Sequence, residues 1–498
     1  MAIDLSRVAL KHRRTRIVAT IGPASDSKEI LRALVAAGVN VFRLNFSHGD
    51  HASHGRTYQR IREVTADVRR PVAVLADLCG PKIRVGRFPE GGIALVADAV
   101  VTVTTRRVVG GQGLIPSEYE AMARDVTRGD RILLADGAMM LEVLSSDGVS
   151  EIEARVVHGG QLTDRKGMNL PGVNLSTPSL TDKDRRDATF AASLGVDYLA
   201  LSFVRSADDM LQLRALLTEG AEPGATLPAL VAKIEKPEAL DDIEAILQAS
   251  DAIMVARGDL GVELPAEEVP IIQQELVAAA VRANRPVIVA TQMLESMIDA
   301  PRPTRAEVSD IAWAAASGTD AVMLSGETAA GRYPVESVQT MDRVLRLVEG
   351  WQWRHGQFGK LDRLRDDVGD EVDRALSRAT ASLSRDLRVR AIVVVTGSGR
   401  TAQAVSGHRP AAPIVPVCAD RQIWRRLALF WGCSPRLVDP DALNVPPALA
   451  LRVVQEMDLA PPGTNVLLVW DTAWHDDGWA PTVTVLTAPG ERDRGDDD

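Results

Sequence analysis

Short apolar, β-branched runs alternate along this chain with stretches of helical spacing. Arg16 to Ile21 is the first such run, closed by Gly22-Pro23. Ser25 to Ala37 then reads as an amphipathic helix, with capping candidates at Ser25, Asp26 and Ser27 and a stop at Gly38. Asn40 to Leu44 is the next strand, Asp50 to Val68 a polar helix, and Val72 to Asp77 a third strand. Strands and helices in alternation, with short connections, predict parallel pairing and an α/β fold.

Between Pro81 and about Ser176 the rhythm changes. Ile93 to Thr105, Arg131 to Leu134, Met139 to Leu144 and Ser150 to Val157 are short and separated by Gly or Asp turns, the pattern of a small all-β unit. Gly80-Pro81 and Thr177-Pro178 are its hinge borders, and a unit hinged beside strand ends can serve as a lid. After Leu180 to Asp184 the alternation resumes with strands at Tyr198 to Ser202, Ala229 to Ile234, Ala252 to Ala256, Val287 to Ala290 and Ala321 to Leu324. The eight βα units occupy roughly 250 residues without the insertion, the size of a (β/α)8 TIM barrel. Pro334 to Glu349 reads as the last barrel helix, and a polar segment from about Gly350 to Gly369 leads to a third unit. That unit carries a helix over Asp370 to Asp386, strands at Ala391 to Val395, Ile414 to Cys418, Arg436 to Val438 and Val466 to Trp470, and a helix opening at Thr401. The tail Glu491 to Asp498 reads as disordered. The predicted organisation is a catalytic barrel over 1–79 and 177–349, an inserted β-barrel-like lid over 80–176, and a C-terminal α/β regulatory or assembly domain over 350–498.

Composition narrows the function classes. The 498 residues are 46% hydrophobic and 25% charged, ordinary for a globular protein. A net charge of −10 argues against general binding to nucleic acid or to an anionic membrane, though not against a locally basic pocket. No run approaches the ~20 apolar residues of a membrane span. Cys79, Cys418 and Cys433 are spaced for neither a disulfide framework nor a zinc site, and a cytoplasmic location is expected.

The candidate chemistry lies where strands end. Lys233 and Glu235 are two apart, so on a strand they point the same way, and Asp259 follows the apolar strand Ala252 to Ala256 in a Gly-flanked turn. Two carboxylates and an ammonium at neighbouring strand ends suit a hard cation beside an anionic substrate. The alternative is a structural ion pair beneath a loop. Polar residues after the other strands (Arg43, Asn45, Asp77, Ser202, Thr291, Ser325, Glu327) favour a site, because parallel barrels place their chemistry at that end.

Seven stretches together resemble the pyruvate kinase family over residues 12 to roughly 475. They are Ile17 to Ser25 (IVATIGPAS), Arg43 to Gly49 (RLNFSHG), Lys233-Ile-Glu235, Ala256 to Gly261 (ARGDLG), Ala290 to Met297 (ATQMLESM), Pro303 to Glu307 (PTRAE) and Leu324 to Thr328 (LSGET). The resemblance implies transfer of a phosphoryl group from phosphoenolpyruvate to ADP, giving ATP and pyruvate, in a homotetramer. By likeness Glu235 and Asp259 bind Mg2+ or Mn2+, Lys233 faces the transferring group and Arg43 holds its phosphate. The substrate carboxylate would rest on backbone N–H groups near Gly258 and Asp259 and on the Thr291 hydroxyl, which would also relay a proton to the enolate. Thr291 as a plain structural hydroxyl is the alternative. Likeness further points to Asn45, His48, Arg84, Asp136 and Lys166 for the nucleotide, with His48 otherwise an ordinary surface histidine.

Two positions depart from members that need K+, which carry threonine and glutamate where this chain has Leu78 and Lys82. The expectation is that Lys82 stands in for K+ in a pocket of Asn45, Ser47 and Asp77, so that K+ is not required; the alternative turns Lys82 to solvent. Thr396, Ser398, Gly399, Arg400 and Thr401 match a loop that holds the phosphate of a sugar-phosphate effector in the family. The Gly-rich partner of that loop is not recognisable in Thr472 to Ala480, which puts a bisphosphate effector in doubt. Two other functions remain: a metal-dependent lyase or aldolase acting on a pyruvate enolate, and a non-catalytic metabolite-sensing homologue.

Overall fold

All eight barrel strands form within a residue or two of their expected positions: Arg16–Thr20, Val41–Asn45, Ala73–Asp77, Tyr198–Leu201, Ala229–Ile234, Ala252–Ala256, Val287–Ala290 and Ala321–Leu324. The computed structural model describes residues 9–66, 68, 70–222, 224–358, 371–474 and 478–489. Each strand pairs in parallel with its neighbours, and the first pairs with the eighth (Ile17 with Val322), closing the barrel. Such strands are covered on both faces, which is why they read as unbroken apolar runs.

Alternation divides each strand between two cores. Ile17, Phe42, Val74, Leu199 and Ala232 face the surrounding helices. Val18, Val41, Leu75, Ala200 and Val231 face the barrel axis. Continuing the inner set to the C-terminal mouth gives Thr20, Arg43, Asp77, Ser202, Lys233 and Glu235. The parity that packs the core therefore delivers the polar cluster to the mouth.

The insertion folds around its own apolar core, which includes Val103, Ile132, Leu141 and Val156. It is a six-stranded sheet beside a two-stranded one. Ile93 to Thr105, expected as one strand, is two, Gly92–Leu95 and Val100–Thr104, broken by a turn in which Asp98 has φ 65°. Three short strands were not expected: Leu114–Pro116, Gly160–Thr163 and Met168–Asn169.

In the C-terminal domain a five-stranded sheet runs Arg436–Leu437, Ile414–Cys418, Ile392–Val395, Asn465–Trp474, Gly478–Thr487, with only the last strand antiparallel. That last strand was not expected, and the stretch Thr472 to Ala480 belongs to this hairpin, with 475–477 outside the described residues. The last barrel helix runs to Arg354, past the expected end at Glu349. Residues 359–370 and the tail 490–498 lie outside the described residues. This domain sits under the N-terminal mouth. Its Val394, Ile414 and Leu467 join the barrel-axis residues in one apolar cluster, and Arg409 grips Asp320 through Nη1–Oδ1 (2.9 Å) and Nη2–Oδ2 (2.8 Å).

Candidate active site

At the C-terminal mouth the inner-facing residues form one charged network. Lys233 Nζ lies 2.9 Å from Glu235 Oε1 and 3.3 Å from Asp77 Oδ1, and donates to Ser202 Oγ at 2.6 Å. Ser202 in turn donates to the Leu78 carbonyl. Arg43 Nε donates to Asp77 Oδ2 at 2.6 Å and its Nη1 to Thr20 Oγ1 at 3.1 Å, which fixes the guanidinium plane. Glu235 follows the strand directly, and its Oε2 accepts from the Phe203 backbone N–H at 2.8 Å.

Charge is unevenly shared here. Burial would lower the pKa of Lys233, but Asp77 and Glu235 more than offset it, so the ammonium is held charged. Burial would raise Asp77, and Lys233 and Arg43 outweigh it and keep the carboxylate ionised. Glu235 is pushed up to about 7 by burial, against the pull of Lys233 and with Asp259 adding repulsion. The lysine rises because Asp77 and Glu235 outweigh its burial, and the glutamate rises because burial, with Asp259 adding to it, outweighs Lys233. Such a carboxylate pair is short of positive charge, and its oxygen-only donors fit a hard divalent cation. Among the described residues no group of three or more His, Cys, Asp or Glu could hold a metal, so water and substrate oxygens would complete the shell around Glu235 and Asp259.

The Gly-flanked turn that carries Asp259 is the first turn of a short helix, Arg257–Glu263. The chain enters that helix straight from the sixth strand, and the helix's first residue, Arg257, fastens it to the loop after the seventh. Arg257 donates to the carbonyls of Ala290 (3.3 Å) and Thr291 (2.6 Å) and pairs with Asp310 (2.7 Å). Thr291 has φ 71°, rare for a β-branched residue, and strain of this kind persists only where neighbours impose it. Its hydroxyl donates to the Ala290 carbonyl and accepts from Gly258 N–H at 2.8 Å, so the N–H expected to meet a substrate carboxylate is already turned towards Thr291. A second buried ion pair, Lys236 with Glu263 (2.7 Å), lies beside the first.

The remaining expected residues fall into three places. Asn45 ends the second strand, and Ser47 and His48 lie in the loop that follows, where Asn45 Oδ1 accepts from Ser47 N–H at 3.1 Å and His48 is exposed. Arg84, Asp136 and Lys166 gather at one edge of the lid, with Arg84 bridged to Gly167. A methyl on Gly167 would lie 3.5 Å from Asp136 Oδ1 and 3.7 Å from Lys82 Cε, so Lys82 belongs to this edge as well. Lys82 is exposed and lines the cleft between lid and barrel with Lys236, Phe203 and Asp259, whereas the ion-pair partners of Asp77 are Arg43 and Lys233. Thr396 to Thr401 stand in the C-terminal domain, away from this mouth. Gly399 has φ 87° and donates to Thr396 Oγ1, and the helix Arg400–Gly407 starts there.

Sequence reasoning did not single out Thr20, Arg257, Lys236 or Glu263. Thr20 was within reach, since it continues the inner-facing parity of its strand. Arg257 and Glu263 act through partners about 30 residues away, and no local pattern reports them.

Comparison with known proteins covers both large domains. A family model described as pyruvate kinase, barrel domain, matches residues 12–338, and one described as pyruvate kinase, alpha/beta domain, matches 374–486. The chain is 44% identical over 464 residues to pyruvate kinase 2 of Synechocystis sp., covering 92% of this chain and 77% of that one. It is 43% identical over 463 residues to a pyruvate kinase of Agrobacterium vitis, covering 92% and 93%. A crystal structure of a pyruvate kinase from Cryptosporidium parvum superposes with a TM-score of 0.88 at 32% identity over 98% of both chains.

Proposed function

Because the chain belongs to the pyruvate kinase family and is a phosphotransferase, we propose that its C-terminal mouth carries the phosphoryl group of phosphoenolpyruvate to ADP. The observation that carries this reading is the buried Arg43–Asp77–Lys233–Glu235 network beside Asp259. A phosphate entering the mouth meets two cations whose positions are fixed by carboxylates behind them, so they need no reorganisation as charge develops.

Arg43, braced by Asp77 and Thr20, holds the phosphate of phosphoenolpyruvate. The substrate carboxylate takes over the Gly258 N–H, which now donates to Thr291, and the Thr291 hydroxyl, which now donates to the Ala290 carbonyl. A β-phosphate oxygen of ADP attacks phosphorus, the bond from phosphorus to the enol oxygen breaks, and the electron pair stays on that oxygen. Lys233 neutralises the resulting enolate. Its carbon then takes a proton across the Thr291 face from water, since a threonine hydroxyl alone is too weak an acid. Glu235 and Asp259 hold Mg2+ or Mn2+, which supplies the positive charge this carboxylate pair lacks. Asn45, His48, Arg84, Asp136 and Lys166 face the nucleotide from barrel and lid.

Lys82 carries a permanent charge at the lid border, in the cleft that Asp259 and Lys236 also line. Brought in as the lid meets the nucleotide, it does the work of K+ near Asn45, Ser47 and Asp77. The loop at Thr396 to Thr401 takes the phosphate of a sugar-phosphate effector, and the chain assembles as a homotetramer in the cytoplasm. No helix among the described residues is long and apolar enough to cross a membrane.

One assay tests the core of this reading. Pyruvate formation is followed in tetramethylammonium buffer with phosphoenolpyruvate and ADP each omitted in turn, with and without added K+. Formation should need both substrates and change little with K+, and Lys82→Glu should introduce a K+ requirement. Pyruvate without ADP would overturn the phosphotransfer, and strong K+ activation of the unaltered protein would overturn the role of Lys82.

A further inference from the structure

The helix Asp182–Leu194 opens where the chain returns from the lid, and its first two turns hold two separate parts of the mouth. Asp184, fully buried, accepts from the Thr181 backbone N–H at 3.1 Å and from the Gly80 N–H at 3.0 Å. One carboxylate thus holds Gly80, where the lid begins, and the helix cap at Thr181, a few residues past its end. On the adjoining face Lys183 Nζ donates to the Phe46 carbonyl at 2.8 Å and pairs with Asp187 Oδ2. Asp187 Oδ1 meets His51 Nε2 at 2.8 Å.

Two ring stacks complete the grip. His51 lies flat on Phe190 of the same helix, centroids 4.1 Å apart at 4°. His54 lies on Phe46, 4.2 Å apart at 13°, and its Nε2 meets the His48 carbonyl at 2.8 Å. The loop from Phe46 to His51 is held at its start through a backbone carbonyl and at its end through an imidazole. Asn45, Ser47 and His48 project from or border this span.

We propose that Lys183 and Asp187 are positioning residues for the nucleotide: they set the shape of the 46–51 loop and tie it to the helix that anchors the lid. The inference rests on the assignment of Asn45 and His48 to the nucleotide. Lys183 is half exposed, so it adds little to the core, and a donor aimed at a backbone carbonyl is there to fix a loop. Asp187 is buried and serves two cationic or polar partners at once, which makes the pair act as one unit. Because Asp184 lies between them on the same helix, ADP seating and lid position share one support.

The test is steady-state kinetics of the full-length protein with ADP and phosphoenolpyruvate varied separately. Lys183→Met and Asp187→Asn should each raise KM for ADP about fivefold, the weight of one ordinary hydrogen bond, because they act on ADP only through the loop, and move KM for phosphoenolpyruvate less than about twofold. The double variant should be little worse than either alone, and Lys183→Arg, which keeps a donor and a charge, should restore KM for ADP. A lysine that touched ADP directly would behave otherwise, since Asp187→Asn would then free it and lower KM. Unchanged KM for ADP, or an equal rise for both substrates, overturns the proposal. Asn45→Ala separates the layers. If it raises KM for ADP while the helix variants do not, only the support role falls; if it too is without effect, the nucleotide assignment of the loop falls and the proposal with it.

Discussion

Lys233 and Glu235 are two residues apart, yet their charges are governed by different neighbours. Asp77 sustains the lysine, whereas burial, with Asp259 adding to it, burdens the glutamate. If Glu235 holds the divalent ion as proposed, ion and proton should compete for it within the working pH range. With the carboxyl at about 7, acidification from pH 8 to 6 should weaken Mn2+ binding to the substrate-free protein by about tenfold, as one competing proton requires. The direction follows from the sign of the shift: a raised pKa leaves the carboxyl protonated at pH 6 and ionised at pH 8. Electron paramagnetic resonance of free Mn2+ reads this directly, and Glu235→Gln should both weaken binding and flatten the pH dependence. A flat profile in the unaltered protein would mean that Glu235 is not a ligand. The same scale explains why Lys82 could be noticed but not placed from sequence. Its identity departs from the family at a charged position, whereas its neighbours at the lid edge, Gly167 and Asp136, lie more than 50 residues away.

The strands were legible because a buried parallel strand leaves a plain trace, an apolar run that ends in a polar residue pointing the same way as its inner side chains. Ala229–Ile234 followed by Glu235 is such a case. Elements of two or three residues hold no period, and Leu114–Pro116 and Met168–Asn169 passed unseen for that reason. Gly478–Thr487 was hidden by Gly478 and Pro481, which read as turn signals although an edge strand tolerates both. Least legible was the fastening of one element to another. Arg257 opens its helix and holds the loop beyond the next strand by the Ala290 and Thr291 carbonyls, keeping a threonine at φ 71°. Arg257→Lys retains the charge but loses the fork, so Thr291 should drift. A displacement of this kind is expected to lower kcat roughly 10- to 100-fold with little change in thermal unfolding. Rapid-quench and steady-state kinetics would separate that loss from a change in binding, and an unaltered kcat would show that Thr291 holds its position unaided.

At the scale of the molecule the barrel is closed from below by the C-terminal domain rather than by its own side chains alone. Asp320, at the lower end of the eighth strand, is buried and meets Arg409 in two parallel bonds, and Arg409 lies over the Trp431 ring. Tyr198 and Arg16 reach down to the carbonyls of Arg426 and Phe430. Removing one partner of a buried pair strands the other. Arg409→Met should therefore cost about 3–5 kcal/mol in guanidinium unfolding, and Asp320→Asn combined with it should recover part of that loss, because the amide removes the unpaired charge and keeps an acceptor for the Val287 and Trp431 N–H groups. If the double variant is no better than the single, the pair is not the joint that holds the two domains.

The tie that Asp184 makes between Gly80 and Thr181 has an evolutionary reading. The chain leaves the barrel at Gly80 and re-enters at Thr181 within the span of a single carboxylate. Seen from the barrel, nearly one hundred residues amount to a loop whose mouth is already shut. An intervening cassette of that sort can be exchanged, lengthened or trimmed by descent while the eight strands fold around it undisturbed, because the entropy of closing the loop is borne by the inserted unit itself. The barrel and its lid can then vary at different rates, with Asp184, and Arg205 on the Leu175 and Thr177 carbonyls, among the points at which they must agree.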